Sequence, residues 1–399
     1  MRLAVVSPFV DRRHGTERAL AELLERLAST YQCEIHLYAQ RVEDLSLNDP
    51  SAAPPAKSGG IFWHKVPSIP GPQFFQFLSW FYLNRFWRWR HTFFRGISID
   101  LVLSPGINCT DADVVIVHAL FHRLRELSQE EADSARMPSG FLRRMHRRAY
   151  YGLLTRLEKH IYSNPQVALA AVSSRTSELL RKYFHRQDAR VIPNAVDTSQ
   201  FSPSSRLARR VRARASRQFR DEELVLLLIG NDWANKGLAT VLEALRGLAD
   251  IPVRTLIVGD DAVASWREMA GRMGVLDRCV WEPASPDILE AYAAADLYVS
   301  PSREDSFGMP VAEAMACGLP AITSVFAGVS FLLHDGVDSF VLRDPRDAGT
   351  LSKVIRMLCE RAELRTRVGQ AAATASLEWT WDRNAAAVWE LLRTASSTR

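Results

Sequence analysis

Acidic residues are missing from long stretches of this 399-residue chain, and lysine is scarce throughout, with 44 arginines and 6 lysines among its 50 basic residues. From Pro50 to Ile99 there is no Asp or Glu against six bases, from Ser134 to Leu157 none against six arginines, and from Arg206 to Arg220 none against seven. Such blocks point to an anionic partner: nucleic acid, anionic lipid or a phosphorylated ligand. Cysteine is sparse too. Cys33, Cys109, Cys279, Cys317 and Cys359 are odd in number, far apart and form no Cys-x-x-Cys pair. A disulfide framework and a cysteine zinc site are therefore not expected, and a reducing compartment fits. No uncharged apolar run reaches the ~18 residues that span a bilayer. No signal-peptide pattern precedes the apolar run Leu3–Val6, so a cytoplasmic chain is expected. What is present, 47% hydrophobic and 24% charged residues, is the profile of a globular protein. At roughly 100–200 residues per domain, the length implies two domains.

Short aliphatic runs alternate with helical patterns along the whole chain. Leu3–Ser7, Glu34–Tyr38, Ile61–Val66, Leu101–Ser104, Val114–His118 and Ala168–Val172 read as buried strands. Between them, Leu20, Leu23, Leu24 and Leu27 mark one helix face, and Phe141–Tyr162 and Arg175–Phe184 read as helices. A second cycle opens at Leu224–Ile229 and continues through Thr255–Val258, Cys279–Trp281, Leu297–Val299 and Ala321–Ser324, again with helices between. Continuous Val/Ile/Leu strands alternating with helices indicate parallel sheets covered on both faces. The expected fold is α/β, with two Rossmann-like doubly wound domains at 1–200 and 201–380 facing across a ligand cleft. The Pro/Ser/Arg-rich stretch Asn194–Arg220 is read as their connection.

The most informative segment is Ser300 to Thr323, which joins a strand to a helix through Ser306-Phe307-Gly308. In doubly wound sheets ligands sit at the carboxyl ends of strands, where helix N-termini offer free N–H groups to anions. Asp305 and Glu313 flank the turn with seven residues between them, one on the loop and one about two helical turns on. Carboxylates so placed suit a ligand bearing paired hydroxyls, such as a ribose or hexose. Asp305-Ser306-Phe307-Gly308 followed by Glu313-Ala314-Met315-Ala316-Cys317-Gly318-Leu319-Pro320 resembles the signature of retaining, nucleotide-sugar-dependent glycosyltransferases of family 4, which have the GT-B fold. Ile192–Asp197, Lys236-Gly237, Leu256–Gly259 and Ala295–Leu297 match the same family in order. Gly230–Gly237 and the arginine-rich helix Phe141–Arg156 look most like the subgroup that glucosylates the heptose of lipopolysaccharide core.

The resemblance implies roles for individual residues. Glu313 holds the ribose hydroxyls, and Asp305, or its neighbour Glu304, takes the place of the family's first glutamate beside the transferred sugar. The amides of Phe307, Gly308 and Met309 face sugar or diphosphate oxygens. Lys236 neutralises the departing diphosphate, a use consistent with a positive charge placed against the dipole of a helix start. Asn231 stands about where the family has an arginine, whose charge is expected to come from the Arg206–Arg220 block. Gly15 lets backbone approach the diphosphate. His118 faces donor sugar and acceptor, with Asp113 and His122 as alternatives. No metal or other cofactor is implied. The tail, 381–399, forms a helix that crosses back to the first domain.

One segment stands apart. Gln73–Arg95 holds eleven of the chain's 37 aromatics and four arginines with no acid. Aromatics suit the headgroup boundary and arginines suit anionic lipid heads, so Trp80, Arg85, Trp87, Arg88, Trp89 and Arg90 are expected to meet an anionic membrane surface. Together these readings describe a hexosyltransferase using a UDP- or GDP-linked sugar on a glycan or lipid-linked acceptor, peripheral on the inner face of the cytoplasmic membrane. A nucleotide-sugar epimerase on the same fold and a catalytically inactive binding homologue are the alternatives. Nucleic acid is not an expected partner, since no recognised nucleic-acid motif accompanies the basic blocks.

Overall fold

The computed structural model describes residues 1–12, 15–48, 59–134 and 141–397, within which side chains at 73, 95, 131–134 and 141–147 are left aside. Much of the basic run 143–148 therefore lies outside the described side chains. The chain divides into two compact units, Met1–Pro193 with Trp381–Arg399, and Asn194–Thr380.

In the first unit the elements run β1 (Arg2–Val6), β2 (Phe9–Val10), α1 (Gly15–Ser29), β3 (Glu34–Ala39), β4 (Arg41–Val42), β5 (Gly60–Lys65), α2 (Gln73–Arg95), β6 (Leu101–Pro105), β7 (Val114–Val117), α3 (Phe121–Ser134), α4 (Phe141–Tyr162), β8 (Ala168–Ala171), α5 (Ser174–Phe184) and β9 (Arg190–Val191). Among the described residues its main sheet has seven parallel strands in the order β5-β3-β1-β6-β7-β8-β9. The order reverses beside β1, where β6 lies on the flank opposite β3. Apolar side chains on β1, β7 and β8 pack with Trp80, Leu154, Ile161 and Tyr162 from the covering helices.

In the second unit come α6 (Pro203–Ala215), β10 (Leu224–Ile229), α7 (Leu238–Arg246), β11 (Val253–Val258), α8 (Val263–Arg272), β12 (Cys279–Glu282), α9 (Leu289–Ala294), β13 (Leu297–Val299), α10 (Met309–Ala316), β14 (Ala321–Ser324), β15 (Ser339–Leu342), α11 (Ala348–Glu360) and α12 (Ala362–Ser376). The parallel order β12-β11-β10-β13-β14-β15 reverses between β10 and β13. The final helix, α13 (Trp381–Ser397), belongs to the first unit. There Trp389 stacks on Tyr31 just past α1, Arg26 of α1 bonds Asp382 at 2.8 Å, and Asn384 donates to Pro193 O at 2.6 Å.

Nearly half of the stretch expected to be a connection is α6, and its arginines are not a reserve of free cations. Arg209 pairs with Asp287, Arg210 and Arg214 with Asp296, Arg212 with Glu290, Arg217 with Glu282 and Arg220 with Glu223. Arg206 instead donates to Cys317 O at 2.9 Å and Ala295 O at 3.3 Å, the carbonyl ends of α10 and α9. Cations at helix C-termini complement the dipole. The block lacks acids because its acids sit on the facing elements. The stand-in expected here for the missing phosphate-binding arginine is thus not an unpaired arginine.

α2 corrects a second expectation. Trp80 and Arg88 are 2% and 8% exposed, so they face the protein core rather than any external surface. Asn84 is fully buried, with Nδ2 donating to Trp80 O at 2.9 Å, Phe81 O at 3.0 Å and Asn108 O at 3.2 Å. Arg88 donates bidentately to Asp111 at 2.9 and 2.8 Å, and Trp87 Nε1 donates to Lys65 O at 2.9 Å. Burial alone would raise the Asp111 carboxyl, but the Arg88 hydrogen bonds and charge carry it below its ordinary value. Residues 80, 84, 87, 88 and 91 share one helix face by their spacing. The opposite side exposes Phe75, Tyr82, Phe86, Trp89 and Phe93, with Arg85 and Arg90 exposed alongside them. Among the described residues no helix is long and apolar enough to cross a membrane.

Candidate functional site

The reversal between β10 and β13 is where a doubly wound sheet opens a crevice at the carboxyl ends of its strands. The loops leaving these two strands bring Lys236 and Asp305 together. Lys236 Nζ donates to Asp305 Oδ2, and both side chains are about five-sixths shielded, at 15% and 17% exposure. The lysine stem lies across Gly230, where an added Cβ would sit 2.9 Å from Cε.

The Asp305 loop runs directly into α10. Gly308, at φ 93°, caps that helix in the left-handed region, and Met309 is its first residue. Phe307 is buried at 2% exposure, and its carbonyl accepts from Val329 N at 2.5 Å. The first amides of a helix have no intrahelical acceptor, so the turn at Phe307, Gly308 and Met309 offers N–H groups to an anion. Glu313 follows on α10, 3% exposed, with Tyr292 Oη donating to its Oε2 at 2.7 Å. Burial, and then the charge of Glu313, push the Tyr292 phenol far above its ordinary pKa, so it remains a donor. The Tyr292 contact was not legible in the sequence, where Tyr292 reads only as one apolar position of a short helix.

Asn231 lies on the β10 loop, and its Oδ1 accepts from Asp260 N at 3.0 Å. It joins the ends of β10 and β11 and brings no charge to replace an arginine. Glu304, the alternative to Asp305, is held through its backbone by Asn235, whereas Asp305 is the carboxylate that meets Lys236. Among the described residues no group of three or more His, Cys, Asp or Glu is arranged to hold a metal ion.

In the first unit, Gly15 opens α1, and positions 13 and 14 just before it lie outside the described residues. His118 immediately follows β7. Both its ring nitrogens are shielded from solvent and without a hydrogen-bond partner, while the residue as a whole is half-buried. Burial pushes the imidazole down to about 4, so it is neutral at physiological pH. Neither alternative is comparable. Asp113 Oδ2 accepts Val102 N at 2.8 Å within the sheet. His122 Nδ1 bonds the fully buried Glu158 at 2.6 Å, and Glu158 also accepts the amides of Phe121 and His122 at 2.5 and 2.9 Å. That carboxylate caps the start of α3, as a negative charge at a helix N-terminus should.

Comparison with known proteins follows this division. Residues 13–200 match the family model Glycosyltransferase Family 4, and residues 210–375 match Glycosyl transferases group 1. A D-inositol 3-phosphate glycosyltransferase of Xylanimonas cellulosilytica is 28% identical over 252 residues, 61% of this chain and 60% of that protein. The lipopolysaccharide glucosyltransferase WaaG of Escherichia coli K12 is 28% identical over 149 residues, 37% of this chain and 40% of that protein. The chain thus spans about half the length of the curated relatives it matches. Its fold is similar to the crystal structure of WaaG, with a TM-score of 0.75 at 19% identity over 97% of this chain and 99% of that one. It is also similar to Anabaena Alr3699/HepE solved with UDP-glucose, with a TM-score of 0.68 at 16% identity over 99% of this chain and 100% of that one. At such identities the likeness is one of fold.

Proposed function

The chain belongs to the GT-B glycosyltransferases, and we propose that it is a retaining enzyme moving a hexose from a UDP- or GDP-linked donor to a glycan or lipid-linked acceptor at a membrane. The observation that carries this reading is the meeting of Lys236 and Asp305 at the reversal of the second sheet, beside the N-terminus of α10. Negative charge grows on the diphosphate as the glycosidic bond breaks. A fixed ammonium and the α10 amides supply the matching positive potential without reorganisation at the moment of reaction. This reading needs no metal, since that charge comes from the chain itself. Asp305 attends the sugar, and Glu313, oriented by Tyr292, accepts the ribose hydroxyls. Retention follows from front-face displacement, in which the leaving phosphate helps deprotonate the acceptor hydroxyl. A neutral His118 suits a hydrogen-bonding role toward sugar or acceptor. Calorimetric titration with UDP and GDP tests the donor assignment. One nucleotide should bind saturably, and Glu313→Gln should weaken it by about tenfold, the loss of roughly 1.4 kcal/mol of charge-assisted bonding. Absence of binding by both nucleotides contradicts the assignment.

The exposed face of α2 supports a peripheral place on the inner face of the cytoplasmic membrane and a role in cell-envelope glycan or lipopolysaccharide synthesis. Tyr82, Phe86, Trp89 and Phe93 form a stripe at spacings of four, three and four, and Trp89 stacks on Phe93 at 5.6 Å. A contiguous aromatic patch of this kind marks an interaction site, and the flanking arginines match anionic headgroups. Arg85→Glu with Arg90→Glu should release the protein from anionic vesicles at low salt, at about 1 kcal/mol per basic residue near the surface. Donor hydrolysis should be unchanged. Wild-type protein that fails to sediment with such vesicles rules the attachment out.

A further inference from the structure

The loops that carry Lys236 and Asp305 are stitched together on both sides of the lysine. Before it, Asn235 Nδ2 donates to Glu304 O at 2.6 Å, and Asn235 Oδ1 accepts Glu304 N at 3.0 Å. The Asn235 carbonyl also accepts Arg303 N at 2.7 Å. After it, Gly237, at φ 79°, passes so close to the second loop that a Cβ would lie 2.2 Å from Pro301 O. Between the two stitches, the lysine stem is pressed on Gly230 and its ammonium meets Asp305.

We propose that Asn235 is a positioning residue for transfer: by clamping the Glu304 backbone it fixes the Lys236 ammonium opposite Asp305, where the departing diphosphate is neutralised. The inference rests on the reading of Lys236 as the diphosphate's counter-charge. A carboxamide is the group suited to this clamp. It presents a donor and an acceptor on one planar unit, so it satisfies the C=O and N–H of Glu304 as a neighbouring peptide would. Aspartate keeps the acceptor and loses the donor, and alanine loses both. Two polar contacts on one backbone residue resist sliding along the loop as well as separation. Transition-state stabilisation by a fixed charge is sensitive to such displacements, since a misplacement of about 1 Å can cost on the order of 10²-fold in rate.

The test has a ligand-free arm and a kinetic arm, both on the full chain. Acylation of Lys236 by acetic anhydride, read by peptide mass spectrometry, reports whether the ammonium is still held. Asp305→Asn is the control for release. Labelling of Lys236 should rise several-fold in Asn235→Ala and toward that level in Asn235→Asp, which keeps one of the two bonds should the alanine variant not fold. In the kinetic arm, with UDP-glucose and GDP-mannose as probes, Asn235→Ala should lower kcat/KM of donor cleavage by about 10²-fold. In a Lys236→Ala background it should cost little more, because a residue acting through another is non-additive with it. Wild-type labelling in both Asn235 variants overturns the proposal, as does a full additional loss in the Lys236→Ala background. Raised labelling in a protein whose wild type cleaves no donor supports the clamp and overturns the transfer reading.

Discussion

Lys236→Ala should lower the rate of transfer by about 10²–10³-fold, the loss of roughly 3–4 kcal/mol of barrier stabilisation expected for one preorganised donor to a developing anion. The protein should remain folded. Removing the lysine leaves the largely shielded Asp305 carboxylate without its cation, which costs roughly 1–3 kcal/mol of stability and a few degrees in melting temperature. Lys236→Met separates the two contributions, because it keeps an aliphatic stem against Gly230 and removes only the charge. It should be as slow as the alanine variant. Rates within tenfold of wild type for both variants contradict the role assigned to this ammonium.

The largest effect on stability is expected at Arg88, within the segment assigned to the membrane. Arg88 is buried, bidentate on Asp111, and its Nη2 donates to Asn84 Oδ1 at 3.2 Å. Breaking a fully buried pair by removing one partner costs roughly 3–5 kcal/mol. Here the cost should fall below that range, because the Asp111 side chain is 43% exposed and partly rehydrates. At about 2–4 °C per kcal/mol for a unit of this size, Arg88→Ala should melt several degrees below wild type. Arg88→Glu should be worse, since it sets two carboxylates face to face. Arg85→Glu, on the exposed side, should stay within about 0.5 kcal/mol of wild type. Thermal unfolding followed by circular dichroism decides this, and an unshifted transition for Arg88→Ala contradicts the docking of α2. For the same reason, charge reversal at Arg88 is not a test of membrane binding.

The α/β fold was legible in continuous aliphatic strands such as Leu224–Ile229, because a strand buried on both faces leaves no room for polar residues. The Asp305–Glu313 segment likewise read as strand, turn and helix, and β13, the Gly308 turn and α10 follow there in that order. Two kinds of fact escaped. At α2 composition could not reveal the division of one aromatic-rich run into two faces. Trp80 and Trp89 look alike in sequence, yet one is buried and the other exposed. Helical spacing carried that signal, with 80, 84, 87, 88 and 91 sharing a face. At α6 the partners of the arginines were distant in sequence: Asp287, Glu290 and Asp296 follow by some 80 residues. An acid-free run therefore read as free charge. Asn235 escaped for the same reason, its partner Glu304 lying 69 residues on.

The central claim is that the loops of β10 and β13 promote departure of a nucleoside diphosphate from a hexose with retention. Time-resolved proton NMR of acceptor-free donor cleavage, using UDP-glucose and GDP-mannose, tests it most directly. Slow release of hexose from one donor is expected, with the α-anomer appearing first because the donor linkage is α, and loss of that signal in Lys236→Ala. Initial release of the β-anomer, conversion of the donor to an epimer, or no cleavage of either donor would contradict it.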